Sequence, residues 1–396
     1  MKKIVMSGLA IFILAGGIIF YIFSNQSLEA SQTIEKEAIQ QEKFLNDKQA
    51  VIYFSTTADQ DMDDKGISYA VFINDNGQAD AYKMNGLELG NVSAGENEVL
   101  LVDKNKLRLI GDSYKEFDMK RPQFTGERTG YLEKQDLYFS IFNTGINNDG
   151  GYDSNVYFGN SGGFKNDNIP YYILASGSDQ NEVPILTHDV EKNQYHFRKV
   201  TFTDNGVSVQ EIVPLENEKG SEFANLSPIV SDEEYYYVVL SEIVNDTSAN
   251  TVLVQINKKT QAQEKINLTT YKNEDNLSAT IPYNAKNSAY LNNGVLYYAN
   301  GLGEVYAFDT KTKKSRITFT IEEAPQDGVR HNEETFFKDN HLHVVRFNEK
   351  ANNKYSIEKY SLDNGDKMDE YEIKGLEDIL NSVRGKSIYS YDLKVF

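Results

Sequence analysis

The run Asp59-Gln60-Asp61-Met62-Asp63-Asp64-Lys65-Gly66 sets carboxylates at alternate positions, the spacing at which a calcium loop presents hard oxygens. Calcium takes about six to eight oxygens, and Asp59, Asp61 and Asp63 supply three. Asp64 stands where such a loop needs glycine for its sharp turn, and no acidic residue holds the twelfth position. A solvated inter-strand loop is therefore the plainer reading, with calcium as the cation that it would take. His341 and His343 flank Leu342 on a predicted strand, which puts both imidazoles on one face, and His331 lies ten residues earlier. Three such nitrogens make a zinc-type ligand set, against the simpler reading of strand histidines facing solvent. A second oxygen-rich stretch, Asn147 to Asn155, joins two predicted strands as the kind of long loop that contacts ligands at a rim.

Catalytic signatures are absent. The chain has no H-E-x-x-H, P-loop or dinucleotide fingerprint. Having no cysteine, it has no disulfide, thiolate metal site or thiol nucleophile. A net charge of -19 disfavours nucleic acid, whose phosphates are bound by clustered lysine and arginine. An acidic surface suits a cationic peptide instead. The N-x-S/T sequons are what chance gives in so asparagine-rich a chain.

Those residues must be positioned by the elements around them, and the first is apolar. Ile4 to Phe23 carries no charge over 20 residues, long enough to span the roughly 30 Å hydrocarbon core as a helix. Lys2 and Lys3 precede it, so the positive-inside rule puts the amino terminus in the cytoplasm and the remainder outside. The competing reading is a cleaved signal peptide, which would release the protein, but Leu28 occupies a place where a small residue is wanted. A large extracytoplasmic domain without cysteine suits a bacterium with a single membrane. The organisation expected is an anchor over 1–24, a polar helical stalk over 25–49, and an extracytoplasmic domain over 50–396. The stalk composition, rich in Glu, Gln, Lys and Ala, favours helix, with apolar positions too sparse for a coiled coil.

From Val51 onward, short apolar and aromatic runs alternate with turn signals, and helical periodicity nearly vanishes. The composition holds 26 Tyr and 21 Phe, side chains that fit a pleated, half-buried surface. Six Asn-Gly pairs, at Asn76, Asn85, Asn205, Asn293, Asn300 and Asn364, carry hairpin-turn chemistry. Strand–turn–strand units also recur in register: Thr203, Asn257, Asp309 and Asp363 stand at matching turn positions 52 to 54 residues apart. A second hairpin precedes each, as at Tyr290-Leu291 before Val295-Leu296-Tyr297-Tyr298, which makes four strands per unit. With less regular turns near Asn74, Asp112 and Asn160 the count reaches seven, and strand repeats of about 40 to 55 residues indicate propeller blades. An all-β, seven-bladed β-propeller is expected, six and eight being the neighbouring solutions. The final strand-like segment, Lys386 to Phe396, is expected to pair with Val51 to Ser55 and close the ring.

The segment Tyr297 to Thr320, with Gly303-Glu304-Val305-Tyr306-Ala307-Phe308-Asp309 at its centre, resembles the repeat of the quinoprotein-like and WD40-like β-propellers. The resemblance covers about one unit and implies fold. It does not carry the quinone cofactor over, because the tryptophans that dock neighbouring blades in that family and its vicinal cysteine pair are both missing. The function expected is therefore non-catalytic: a membrane-held binding or scaffolding domain for a peptide, glycan or protein. A propeller hydrolase or lyase on sugars or lactones is the second reading, and a sensor domain for a partner membrane protein the third.

Overall fold

The computed structural model describes residues 32–95, 97–146, 151–217, 220–245, 247–272, 277–329 and 332–396. The predicted anchor, the start of the predicted stalk and His331 lie outside the described residues. Among the described residues no helix is long and apolar enough to cross a membrane.

Seven antiparallel sheets surround one axis. Each of the seven predicted turns joins the third and fourth strands of one blade, as between Glu304–Asp309 and Lys314–Thr320 in the sixth. The turn chemistry repeats as well. Asn257 Oδ1 accepts from the amides of Lys259 and Thr260, and Asp309 Oδ1 accepts from those of Lys311 and Thr312. Each thereby satisfies backbone donors that the turn would otherwise leave open. Of the six Asn-Gly pairs, Asn293-Gly294 alone has both residues at positive φ, 50° and 79°, as a type I′ turn requires.

Closure follows the expected route. Tyr389–Val395 is the innermost strand of the first blade and runs antiparallel to Lys48–Ser55, pairing Ile52 with Leu393 and Ser55 with Tyr389. The first blade is thus built from both ends of the propeller, and no inner edge is left unpaired there.

Alternation along the strands decides which neighbour each side chain meets. In the first blade Ile52, Phe54, Val71 and Ile73 pack against Val345 and Ile357 of the seventh, while Val51, Tyr53, Ala70 and Phe72 pack against Val92, Val99 and Leu101 of the second. Both faces of the central strands are therefore buried, whereas outer strands such as Lys367–Glu372 are mostly exposed. Phenol and phenyl rings take the docking role that tryptophan would fill. Tyr53, fully buried, reaches across to donate to the Val102 carbonyl at 3.0 Å, and Phe158 stacks on Phe202 of the next blade at 4.8 Å. At the inner edge the fourth and fifth blades meet through Gly177, where a Cβ would lie 1.9 Å from the Ile229 carbonyl oxygen.

The stalk differs from expectation. Thr33–Ile34 pairs in parallel with Ala81 and Tyr82, adding a fifth strand to the outer edge of the first blade. Among the described residues of the stalk, helix is limited to one α-turn, Lys36–Ile39, and one 3-10 turn, Phe44–Asp47. Ile34, Ile39, Phe44 and Leu45, too sparse to organise a helix bundle, instead pack onto the core that contains Val51 and Phe72. Burial of that apolar face outweighs helix propensity.

Candidate functional site

The three aspartates of the predicted calcium loop go separate ways. Asp61 is buried, accepts from the Gly66 amide and pairs with Lys104 at 2.8 Å. Asp63 is exposed and pairs with Lys386 at 3.2 Å and Lys65 at 3.4 Å, and Asp59 is exposed. Lysines thus take up the charge that a cation would need, and among the described residues no cluster of three metal-ligating side chains forms. His341 and His343 do share a strand face, with ring centroids 6.5 Å apart. Lys338 and Lys359 stand opposite them across the sheet, and burial together with those cations pushes His343 down to about 4. Asn147 to Gly150 lie outside the described residues, and the stretch resumes in the strand Tyr152–Asn160.

The polar convergence lies on the axis instead. Two vestibules open among the inner strands, one at each end. One, of about 770 Å³, lies where these strands end and is walled by Tyr131, Tyr290, Phe336, Phe337 and Lys394. The other, of about 460 Å³, lies where they begin and is walled by Tyr283, Asn284, Glu334, Tyr389 and Tyr391. Arg128 and Lys286 line both.

Between the vestibules a polar crossbar spans the ring. The segment Asn284 to Asn287, leading into the sixth inner strand, reaches the opposite side. Lys286 Nζ donates to the Leu89 carbonyl at 2.7 Å, to Asn91 Oδ1 at 2.9 Å and to the Gly126 carbonyl at 3.4 Å, all in the second and third blades. Asn287 Nδ2 donates to Asp392 Oδ1 at 2.7 Å, and Asn284 Nδ2 to the Tyr391 carbonyl at 2.8 Å, both on the closing strand. Asp392, 1% exposed, also accepts from the Val92 amide at 2.8 Å and from Lys394 Nζ at 2.7 Å.

Electrostatics at this level depart from solution values. Desolvation lowers Lys286 to about 8, although its three acceptors suit an ammonium. Burial raises Glu334 to about 8, assisted by the nearby Asp392 and opposed by the amide of Asn284, which donates to it at 2.9 Å. Glu334 is thus a neutral acid at pH 7.

Arg128 is the exception in the pairing. Its Nε donates to Ser176 Oγ at 2.7 Å, and Ser176 in turn donates to Glu127 Oε1 at 2.6 Å. Its two Nη nitrogens have no protein acceptor among the described residues. A guanidinium fork held by one nitrogen and open at the other two matches a bidentate oxyanion. The larger vestibule holds three cations, Arg128, Lys286 and Lys394, against one acid, Glu133, in a chain with 59 acidic and 40 basic residues.

These residues escape sequence reading because they come from the first, third, sixth and seventh blades and meet only at the axis. A charge inside an inner-strand pattern, such as Asp392 within Tyr389-Ser390-Tyr391-Asp392-Leu393, is the signal that could have marked them.

A closed ring of seven four-stranded units around a divided axis defines a single seven-bladed β-propeller. Within that class the chain belongs to the family described as YycP, beta-propeller domain, whose model matches residues 43–396. It is 30% identical over 395 residues to the uncharacterized protein YycP of Bacillus subtilis (strain 168), covering 99% of each chain. Among solved structures, a hypothetical selenium-binding protein from Sulfolobus tokodaii is similar with a TM-score of 0.52 at 10% identity, over 88% of this chain and 93% of that one. Oligogalacturonate lyase from Vibrio parahaemolyticus is similar with a TM-score of 0.43 at 10% identity, over 76% and 95%. At such identities the likeness is one of fold.

Proposed function

We propose that the protein is a non-catalytic binding module, held outside the cytoplasm by its amino-terminal apolar segment, whose larger axial vestibule takes an acidic ligand through a carboxylate or phosphate. The observation that carries this reading is the open guanidinium fork of Arg128, flanked by Lys286 and Lys394 in a recessed wall. A bidentate oxyanion there gains charge-assisted hydrogen bonds in a partly desolvated setting, where they are stronger than at a surface. Aromatic walls at Tyr290 and Phe337, stacked at 5.9 Å, would meet the apolar part of the ligand. The test is thermal melting of the full chain with glucuronate, citrate and inorganic phosphate, beside the Arg128→Lys variant. A stabilisation by at least one anion that is lost in the variant supports the reading. No stabilisation, or an equal one in both proteins, removes it.

One observation favours a second reading, acid–base catalysis on a sugar or lactone. Glu334 lines the smaller vestibule as a carboxyl group that titrates near 8, the kind of perturbed acid that active sites collect. Turnover of a lactone or glycoside panel that Glu334→Gln abolishes would favour it over simple binding.

A further inference from the structure

A third cavity, of about 510 Å³, lies away from the axis between the third and fourth blades. Its size falls in the roughly 300–1,000 Å³ range of small-molecule pockets. Tyr152, Tyr171 and Tyr172 line it, and none of their hydroxyls has a protein hydrogen-bond partner among the described residues. The rings of Tyr152 and Tyr172 touch at 5.4 Å with 59° between their planes.

The charges of this cavity other than the exposed Glu191 are already committed, which sets it apart from the axis. Arg198, its one arginine, donates through Nη1 to Thr187 Oγ1 and through Nη2 to Glu211 Oε2 at 2.9 Å, with its guanidinium carbon 4.0 Å from the Tyr171 ring centre. Asp189 is held by Lys192 at 2.9 Å, and His188 is bonded to Asn193 at 3.1 Å. No open guanidinium fork is offered to an anion. Two tyrosine rings in direct contact also leave no gap between them for a quaternary ammonium group. What remains is aromatic surface edged by phenolic hydroxyls, which complements a pyranose: its C–H face lies on a ring while its hydroxyls pair with the phenols.

We propose that this rim cavity is a saccharide subsite that takes a neutral pyranose unit of an oligosaccharide, independently of the axial vestibule. The test is calorimetric titration of the full chain, in lipid nanodiscs so that no sugar-headed detergent competes. The titrants are neutral tetrasaccharides of glucose, galactose, mannose and N-acetylglucosamine, each to about 10 mM, enough to reveal millimolar dissociation constants. At least one should bind, and the paired Tyr152→Ala and Tyr172→Ala substitutions should weaken it about tenfold or more. Tyr172→Leu, which keeps apolar bulk, should also weaken binding and is read if the alanine pair fails to fold. Binding by none of the four sugars, or binding that survives loss of the tyrosines, overturns the proposal.

Discussion

Replacing Glu334 with glutamine keeps the acceptor that Asn284 uses at 2.9 Å and removes the ionisation. In the folded protein this carboxyl group titrates at about 8, against 4.5 for an unperturbed one. Its folded value is raised, so its contribution is complete below pH 4.5 and is lost as pH rises through 8. At about 1.36 kcal/mol per pKa unit, the loss across that window is on the order of 4 to 5 kcal/mol. The groups around the carboxyl are Asp392, which raises it, and Asn284, Ser390 and Lys394, which lower it. Lys286, depressed to about 8, contributes stability that is present above 10.5 and lost as pH falls through 8, so it overlaps the upper end of the window with the opposite sign but is common to both proteins and cancels in their difference. His343, depressed to about 4, gains over pH 4 to 6.5 in both proteins and cancels in their difference. The assay is urea unfolding of wild type and Glu334→Gln at pH 5, 7 and 9. With a slope above about 3 kcal/mol/M for a chain of this size, the wild-type midpoint should fall by about 1 to 1.5 M relative to the variant between pH 5 and 9. Midpoints that stay parallel from pH 5 to 9 would refute the buried neutral acid.

Asp392→Ala strips the crossbar of its central acceptor, leaving the Val92 amide, the Asn287 side chain and Lys394 without it, and should destabilise the protein by about 3 kcal/mol or more in urea unfolding. Gly177→Ala puts a methyl group against the Ile229 carbonyl and should cost about 2 to 3 kcal/mol, because backbone on the fifth blade has to move. A chain ending at Lys386 lacks the closing strand Tyr389–Val395 and should lose cooperative unfolding and gain protease sensitivity within the first blade, as limited proteolysis would show.

The blades were legible because each is a local statement. Turn residues such as Asn257 and Asp309 bond amides two and three positions on, and strand alternation assigns Val51 and Ile52 to opposite neighbours, all within one stretch of chain. The closing strand was legible for a related reason: Lys386 to Phe396 is strand-like and lacks a partner in its own unit. The stalk was misread because composition favoured helix, while Ile39, Phe44 and Leu45 found burial against a strand that the segment itself leads into. The aspartate loop kept its spacing but not its geometry, since Lys104, some forty residues on, claims Asp61.

The axial site obeys a different rule. Docking between blades needs only that each repeat present apolar faces, and any conservative exchange of Leu, Ile or Phe preserves it. The crossbar needs one particular lysine to reach carbonyl groups on the far side of the ring and one aspartate to serve three donors from three blades. A repeat cannot encode such partners, because each member is a departure from the repeat. Buried charges are costly wherever they are not matched, so their gathering at the one level where seven inner strands converge sets that level apart from the apolar faces that dock the blades. Arg128, whose Nε is held by Ser176 while its Nη nitrogens have no protein acceptor among the described residues, is the residue on which the binding proposal turns.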